Sequence, residues 1–150
     1  MFLAYRLPRE PSTPRITLWR KLRRLGAVQV SDNLVALPLD ARTREQLEWL
    51  AAEVVDAGGE ASIWLAEAAT ASHERELAAR MAESIVAEYQ TLLSSVGDAV
   101  DLSEGQRRRA IARLRRELRS IRSRDFFPPP EADEARRALE DLAAAMEVAP

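Results

Sequence analysis

The order of apolar segments in the first 70 residues constrains the fold more than any other feature of the sequence. Short apolar runs that predict strands occupy residues 2–7, 27–30, 34–39 and 61–68. Two intervening stretches predict helices, one from Thr13 to Leu25 and one from Asp40 or Thr43 to the Gly58-Gly59 pair. The order β-α-β-β-α-β favours an antiparallel sheet with both helices on one face. We therefore expect an α+β fold with a ferredoxin-like core.

Local signals mark the ends of these elements. Thr13 followed by Pro14 is typical of a helix start, with the hydroxyl as N-cap and the proline in the first helical position. Gly26 stands where a glycine would cap the end of that helix. The turn residues 31–33 (SDN) predict a tight hairpin between the second and third strands.

Three further helices are expected after the sheet, over about 72–96, 103–124 and 131–147, because apolar residues recur there at intervals of three and four. The break between the last two is residues 126–130 (FFPPP). These two helices carry opposite charge and are expected to pair as an antiparallel hairpin. At 150 residues the chain fits a single domain, with a core over 1–70 and a helical extension over 71–150.

Composition excludes several kinds of chemistry. The chain has no cysteine and one histidine, His73, so disulfides, thiolate catalysis, cysteine-bound zinc and multi-histidine metal sites are excluded. No phosphate-binding loop, dinucleotide fingerprint or serine-nucleophile motif occurs. We expect no catalytic residues, metal or cofactor, and therefore not an enzyme. No apolar run is long enough to span a bilayer, which predicts a cytoplasmic protein without a membrane partner.

A net charge of −2 conceals four blocks of alternating sign, which usually serve partners or pair with one another. Residues 6–24 carry +6 and residues 107–124 carry +8, whereas residues 25–106 carry −11 and residues 125–150 carry −5. Each basic block is therefore either a binding surface or one half of an internal ion-pair network.

The first basic block is the principal candidate site. Its predicted nucleic-acid-binding residues are Arg9, Arg15, Arg20, Lys21, Arg23 and Arg24. A basic helix that also carries Trp19 can lie along phosphates, and its guanidinium groups can equally bind a small oxyanion. The alternative is that Trp19 packs in the core and the arginines pair with the acidic stretch.

The second basic block leaves the same two possibilities open. The arginines of 107–124 could contact nucleic acid, or pair with Glu140, Asp141 and neighbouring acids on the last helix. The aromatic pair after Asp125 is expected to anchor the hairpin to the core, with Asp125 capping locally. Trp49 and Trp64 are expected in the core and His73 on the surface.

Several segments together resemble the opening domain of the chromate-resistance regulator family, ChrB. They are 7–15 (LPREPSTPR), 18–27 (LWRKLRRLGA), 37–38 (LP), 42–46 (RTREQ), 58–61 (GGEA) and 124–128 (RDFFP). The resemblance covers nearly the whole chain, and the first stretch is its most specific part. A more distant likeness connects the chain with the ferredoxin-like module of the phenylacetate-type repressor PaaX.

The resemblance implies an amino-terminal regulatory domain of proteins that control chromate-efflux operons and respond to chromate. In that family the amino-terminal half is thought to supply DNA contact and a carboxy-terminal half to sense the anion, so we expect the sensing half to lie outside residues 1–150. The expected partner is double-stranded DNA, contacted by the basic helices themselves. The alternatives are a protein-interaction domain that binds a second copy or a separate sensing domain, and a module that binds chromate or sulfate directly.

Overall fold

The computed structural model describes residues 1–147 of the chain. The elements within them are β1 (Phe2–Arg6), α1 (Thr13–Leu25), β2 (Val28–Ser31), β3 (Leu34–Ala36), α2 (Ala41–Asp56), β4 (Glu60–Trp64), α3 (Ala71–Ala99), α4 (Glu104–Arg122) and α5 (Pro130–Glu147). The predicted α+β class is therefore confirmed. The chain divides into two compact units, one formed by Met1–Arg80 and one that begins at Met81. The expectation of a single domain with a division at residue 70 stays a prediction.

The four strands form one antiparallel sheet in the order β2-β3-β1-β4. Leu3 of β1 lies between Val35 of β3 and Ile63 of β4. Leu3 and Val35 are almost completely buried, at 0% and 1% exposure. The two central strands therefore supply the sheet's share of the first unit's core.

Two strands end earlier than the apolar runs predict. β4 stops at Trp64 rather than near residue 68, because Trp64 pairs with Phe2, the first residue of β1, and the residues beyond it have no partner strand. β3 stops at Ala36, shortly before Pro38, which has no N–H to donate to a ladder. Pairing with a neighbour, rather than hydrophobicity, sets the length of these strands.

Helices α1 and α2 pack together through one apolar face each. Leu18 and Leu22 of α1 are buried, as are Leu47 and Val54 of α2. Gly26 ends α1 with a φ of 81°, a left-handed conformation that favours glycine, so the predicted cap is confirmed. The residue at the N-cap is Ser12 rather than Thr13, so Thr13 is the first helical residue and the helix begins one residue earlier than its predicted cap implies.

The start of α2 is fixed by side-chain bonds. The carboxylate of Asp40 accepts a hydrogen bond from the Thr43 backbone N–H at 2.7 Å, and the Thr43 hydroxyl accepts one from the Asp40 N–H at 3.1 Å. This reciprocal pair is a capping box. At the other end of α2, a Cβ on Gly59 would lie 2.3 Å from the Arg6 carbonyl oxygen. Only glycine lets the chain pass so close to β1 as it enters β4.

The second unit is a helical assembly with its own core. Apolar side chains of α3, α4 and α5 form one buried cluster, in which Tyr89, Leu92, Leu114 and Ala135 are 0% exposed. α4 and α5 pack against one another. Helix α3 runs to Ala99, beyond the predicted end near residue 96, because Ala99 is buried in this cluster.

The expectation that Trp49 and Trp64 lie in the core is wrong. Trp49 is 67% exposed and Trp64 is 61% exposed. Trp49 follows Leu47 by two residues, which puts it on the opposite side of α2 from that buried leucine. Trp64 belongs to the exposed set of β4, which alternates with the half-buried Ala61 and Ile63. His73 is exposed, as expected.

Candidate nucleic-acid interface

The outward face of α1 carries most of the predicted site residues. Leu18 and Leu22 point into the core at 4% and 0% exposure. Arg20, Arg23 and Arg24 lie on the other side and are all exposed. Because the buried leucines fix the rotation of the helix, these guanidinium groups are presented to solvent as one surface.

The six predicted residues differ in what they contact. Within the part of the chain that the structure describes, Arg9, Arg20, Arg23 and Arg24 have no ion pair and no side-chain hydrogen bond. Lys21 is instead held by Glu53 of α2, with Nζ 2.6 Å from Oε2. The predicted pairing with the acidic stretch therefore applies to Lys21 and not to the arginines around it.

Arg15 is held by the backbone rather than by an acid. Its Nη2 donates to the Pro8 carbonyl oxygen at 3.0 Å, across the loop that joins β1 to α1. The side chain stays exposed, so this bond orients it without removing it from solvent. The structure therefore brings Arg15, Arg20, Arg23 and Arg24 onto one helix, with Arg9 in the preceding loop.

An apolar groove adjoins this basic face. It has a volume of about 330 Å³ and lies between α1 and α2, lined by Lys21, Arg24, Leu25, Gln46, Trp49 and Leu50. Trp19 and Ile16 add exposed apolar surface on α1 itself, at 36% and 52% exposure. The α1 surface is thus mixed in character, with cations and large apolar groups side by side.

Helix α4 carries a denser set of cations. Its 19 residues include eight arginines and two glutamates. Its apolar seam of Ile111, Leu114, Leu118 and Ile121 is buried in the second unit, at 6%, 0%, 8% and 1% exposure. The six exposed arginines without an ion pair in the described residues are Arg109, Arg113, Arg115, Arg116, Arg119 and Arg122.

Of the two acids named as partners for α4, Glu140 is engaged elsewhere and Asp141 has no ion pair in the described residues. Glu140 pairs with Arg136 of its own helix, with Oε2 2.8 Å from Nη1. Glu104 pairs with Arg108 one turn away on α4. Among residues 1–146, no ion pair joins α4 to α5. The alternative in which the α4 arginines pair with acids of the last helix is therefore not found in these residues.

Two adjacent residues of α3 bind two adjacent residues that follow α4. Arg124 makes a bidentate contact to Glu88, with both N–O distances at 2.6 Å. The Tyr89 hydroxyl donates to Asp125 Oδ2 at 2.8 Å. Asp125 thus accepts a tertiary hydrogen bond, where sequence alone predicted a local cap. Burial and the bond to Asp125 raise the pKa of Tyr89 well above its usual range.

Other kinds of site find little support in the described residues. No group of three or more histidine, aspartate or glutamate side chains there is arranged to hold a metal ion. None of the helices described combines the length and the apolar character needed to cross a membrane.

Comparison with known proteins gives two matches of one kind. The family model described as "Protein ChrB, N-terminal" matches residues 15–148. Protein ChrB of Cupriavidus metallidurans is 30% identical over 150 residues, a region that covers 99% of this chain and 46% of that relative. The chain thus spans a little under half of the length of this relative. No solved structure matches the chain.

Proposed function

Since this chain belongs to the ChrB N-terminal family, we propose that it is the DNA-binding part of a chromate-resistance transcriptional regulator. In this proposal it binds and does not catalyse, and it acts in the cytoplasm, where its DNA would be. We also propose that the first unit is ferredoxin-like. The element order β-α-β-β-α-β and the strand order β2-β3-β1-β4 support that assignment.

The observation that carries the proposal is the unpaired state of the arginines on α1. Arg20, Arg23 and Arg24 are exposed, and no acid in the described residues neutralises them. Phosphate contacts dominate the affinity of proteins for DNA, and arginine forks match phosphate oxygens in bidentate fashion. Arg15 and Arg9 extend the same surface, while Lys21 would have to leave Glu53 to contribute.

The test is fluorescence anisotropy with a labelled duplex from the gene's own promoter and a scrambled duplex, each titrated across salt. The variant Arg20→Ala/Arg24→Ala is compared with Arg44→Ala/Arg75→Ala, which removes the same charge from exposed positions elsewhere in the first unit. We expect the first variant to bind more weakly and to lower the salt slope by about 2, at about 0.9 for each lost phosphate contact.

If the wild-type protein bound neither duplex at low salt, the proposed DNA-binding function would be refuted. If the two variants bound equally well, the assignment of the DNA contacts to Arg20 and Arg24 of α1 would be wrong, although the protein would still bind DNA.

The groove beside Trp49 favours a second candidate function, binding to a protein partner. An exposed tryptophan over an apolar groove is typical of an interface anchor. The partner would be a second copy of the chain or a separate sensing domain. The seam from Ile111 to Ile121 cannot serve this purpose, because it is buried within the second unit. Light scattering at high concentration separates the possibilities: a dimer that Trp49→Ala dissociates supports self-association, and a monomer argues against it.

A third candidate rests on Arg20 and Arg24, which lie one turn apart with both guanidinium groups unpaired. Such a pair can bind chromate or sulfate directly. Thermal stabilisation by sulfate beyond that by chloride at matched ionic strength would support it, through preferential binding to the folded state. Identical stabilisation by the two salts would remove it.

A further inference from the structure

Helix α4 presents an uncompensated cationic surface that the α1 assignment leaves unexplained. Eight of its 19 residues are arginine, and six of these are exposed without an ion pair in the described residues. Like charges one turn apart, such as Arg109 with Arg113 and Arg115 with Arg119, destabilise a helix. A solvated surface helix gains more from mixed charges, so this arrangement suits an anionic ligand.

The surface is held in one orientation. Ile111, Leu114 and Ile121 fix the rotation of α4 by their burial in the second unit. A capping box between Ser103 and Gln106 fixes its start. The bidentate bond from Arg124 to Glu88 ties the segment just beyond its end to α3. The helix backbone that carries the outward arginines therefore needs no ordering on binding, and the ordering cost is limited to the side chains.

The outward arginines of α4 form two rows. Arg109, Arg113 and Arg116 make the first row, and the second row consists of Arg108, Arg115, Arg119 and Arg122. At 1.5 Å and 100° per residue, the second row extends over about 21 Å, and the rows lie about a third of a turn apart. An α-helix with its side chains is about 10–12 Å in diameter, which fits the major groove of about 12 Å. In that position each row of arginines would face one phosphate strand.

The chemistry of the surface favours phosphate over a protein partner. The large exposed apolar side chains of the described residues include none from α4. Protein interfaces have cores depleted in charge and rely on apolar or aromatic anchors. The α1 surface has such groups in Trp19 and Ile16, whereas α4 offers only arginines and small or polar residues between them.

We propose that the outward face of α4 binds the phosphate backbone of duplex DNA without regard to sequence, as a second surface besides α1. This inference rests on the proposed DNA-binding function. It assigns to α4 the larger part of the salt-dependent affinity, because α4 has more unpaired arginines than α1.

The experiment measures the affinity of the full chain for the promoter duplex and the scrambled duplex across salt. The test variant is Arg109→Ala/Arg113→Ala/Arg116→Ala, in which alanine keeps a strong helix former at each position. The matched control, Arg44→Ala/Arg75→Ala/Arg137→Ala, removes three charges from exposed positions outside α1 and α4. We expect the test variant to bind both duplexes at least roughly tenfold more weakly, with a salt slope lower by about 2.7. The preference for the promoter should stay unchanged.

A further variant guards against loss of fold. Arg109→Lys/Arg113→Lys/Arg116→Lys keeps the charge and should keep most of the salt slope. Equal binding by the alanine test variant and its control would overturn the inference while wild-type binding to DNA still stood. Absence of wild-type binding would overturn the proposed function as well. Displacement of the duplex by polyglutamate at equal charge concentration would show a site for acidic protein and would overturn the assignment to nucleic acid.

Discussion

The bond from Tyr89 to Asp125 allows a sharp test of what holds the second unit together. Tyr89 is 0% exposed, and its hydroxyl lies 2.8 Å from Asp125 Oδ2. The other carboxylate oxygen of Asp125, Oδ1, is buried without a partner in the described residues. The tyrosine hydroxyl is therefore the one described group that compensates for the burial of this carboxylate.

Replacing Tyr89 by phenylalanine keeps the ring and its packing but removes that hydrogen bond. A hydrogen bond to a charged group contributes about 1.5–3 kcal/mol, and its loss leaves neither carboxylate oxygen of Asp125 with a hydrogen-bond partner in the described residues. We expect Tyr89→Phe to lower the free energy of unfolding by about 2 kcal/mol. With a urea m-value of about 1.5 kcal/mol/M, the midpoint falls by roughly 1.3 M.

The assay is urea unfolding followed by circular dichroism, with Tyr5→Phe as the control. Tyr5 is half-buried in the first unit, and its hydroxyl has no hydrogen bond in the described residues. Its replacement should change stability by less than about 0.5 kcal/mol. In a double-mutant cycle, Asp125→Ala should cost less in the Tyr89→Phe background than in the wild type. Equal midpoints for Tyr89→Phe and Tyr5→Phe would refute this account.

The same bond predicts a dependence on alkaline pH. The pKa of Tyr89 is raised in the folded protein, so the folded state keeps this proton after the unfolded state has begun to lose it. The stability that Tyr89 contributes is therefore complete below about pH 10 and decreases as pH rises above that value. The range from about pH 9 to about pH 11 brackets the reference tyrosine pKa of about 10. Over this range the Tyr89→Phe variant should lose less stability than the wild type, when both are measured by urea unfolding.

Three further predictions follow from burial and capping. Leu114→Ala, at a fully buried position, should cost about 2–5 kcal/mol in urea unfolding, and a cost below about 1 kcal/mol would contradict the packing of α4 described above. Trp49→Ala should change the free energy of unfolding by less than about 0.5 kcal/mol in the same assay, because the side chain is 67% exposed. A loss of several kcal/mol would instead show that Trp49 is buried in the core. Backbone hydrogen bonding from Thr43 lowers the pKa of Asp40, so the contribution of its carboxylate is present above about pH 4 and is lost as pH falls below it. Asp40→Ala should flatten the acid side of the stability profile, and an unchanged profile would show that the cap is not charge-dependent.

The sequence by itself determined the type and order of the elements. Spacing of three and four placed the helices, and Gly26 marked the end of α1 because glycine adopts the left-handed φ at low cost. The start of α2 at Asp40, one of the two starts that the sequence indicated, depends on hydrogen bonds between residues three positions apart in the chain. These features depend on neighbours in sequence, so the sequence contains the information needed to predict them.

Tertiary structure decided what depends on distant neighbours. The length of β4 follows from its pairing with β1, and the exposure of Trp49 follows from the side of α2 that faces the core. The pairing of charges also depends on tertiary structure, because a basic run and an acidic run neutralise each other only if folding brings them together. Lys21 of α1 meets Glu53 of α2, whereas the arginines of α4 meet no acid of α5 in the described residues. Two of the α5 acids, Asp133 and Glu140, bind Arg136 on their own helix instead.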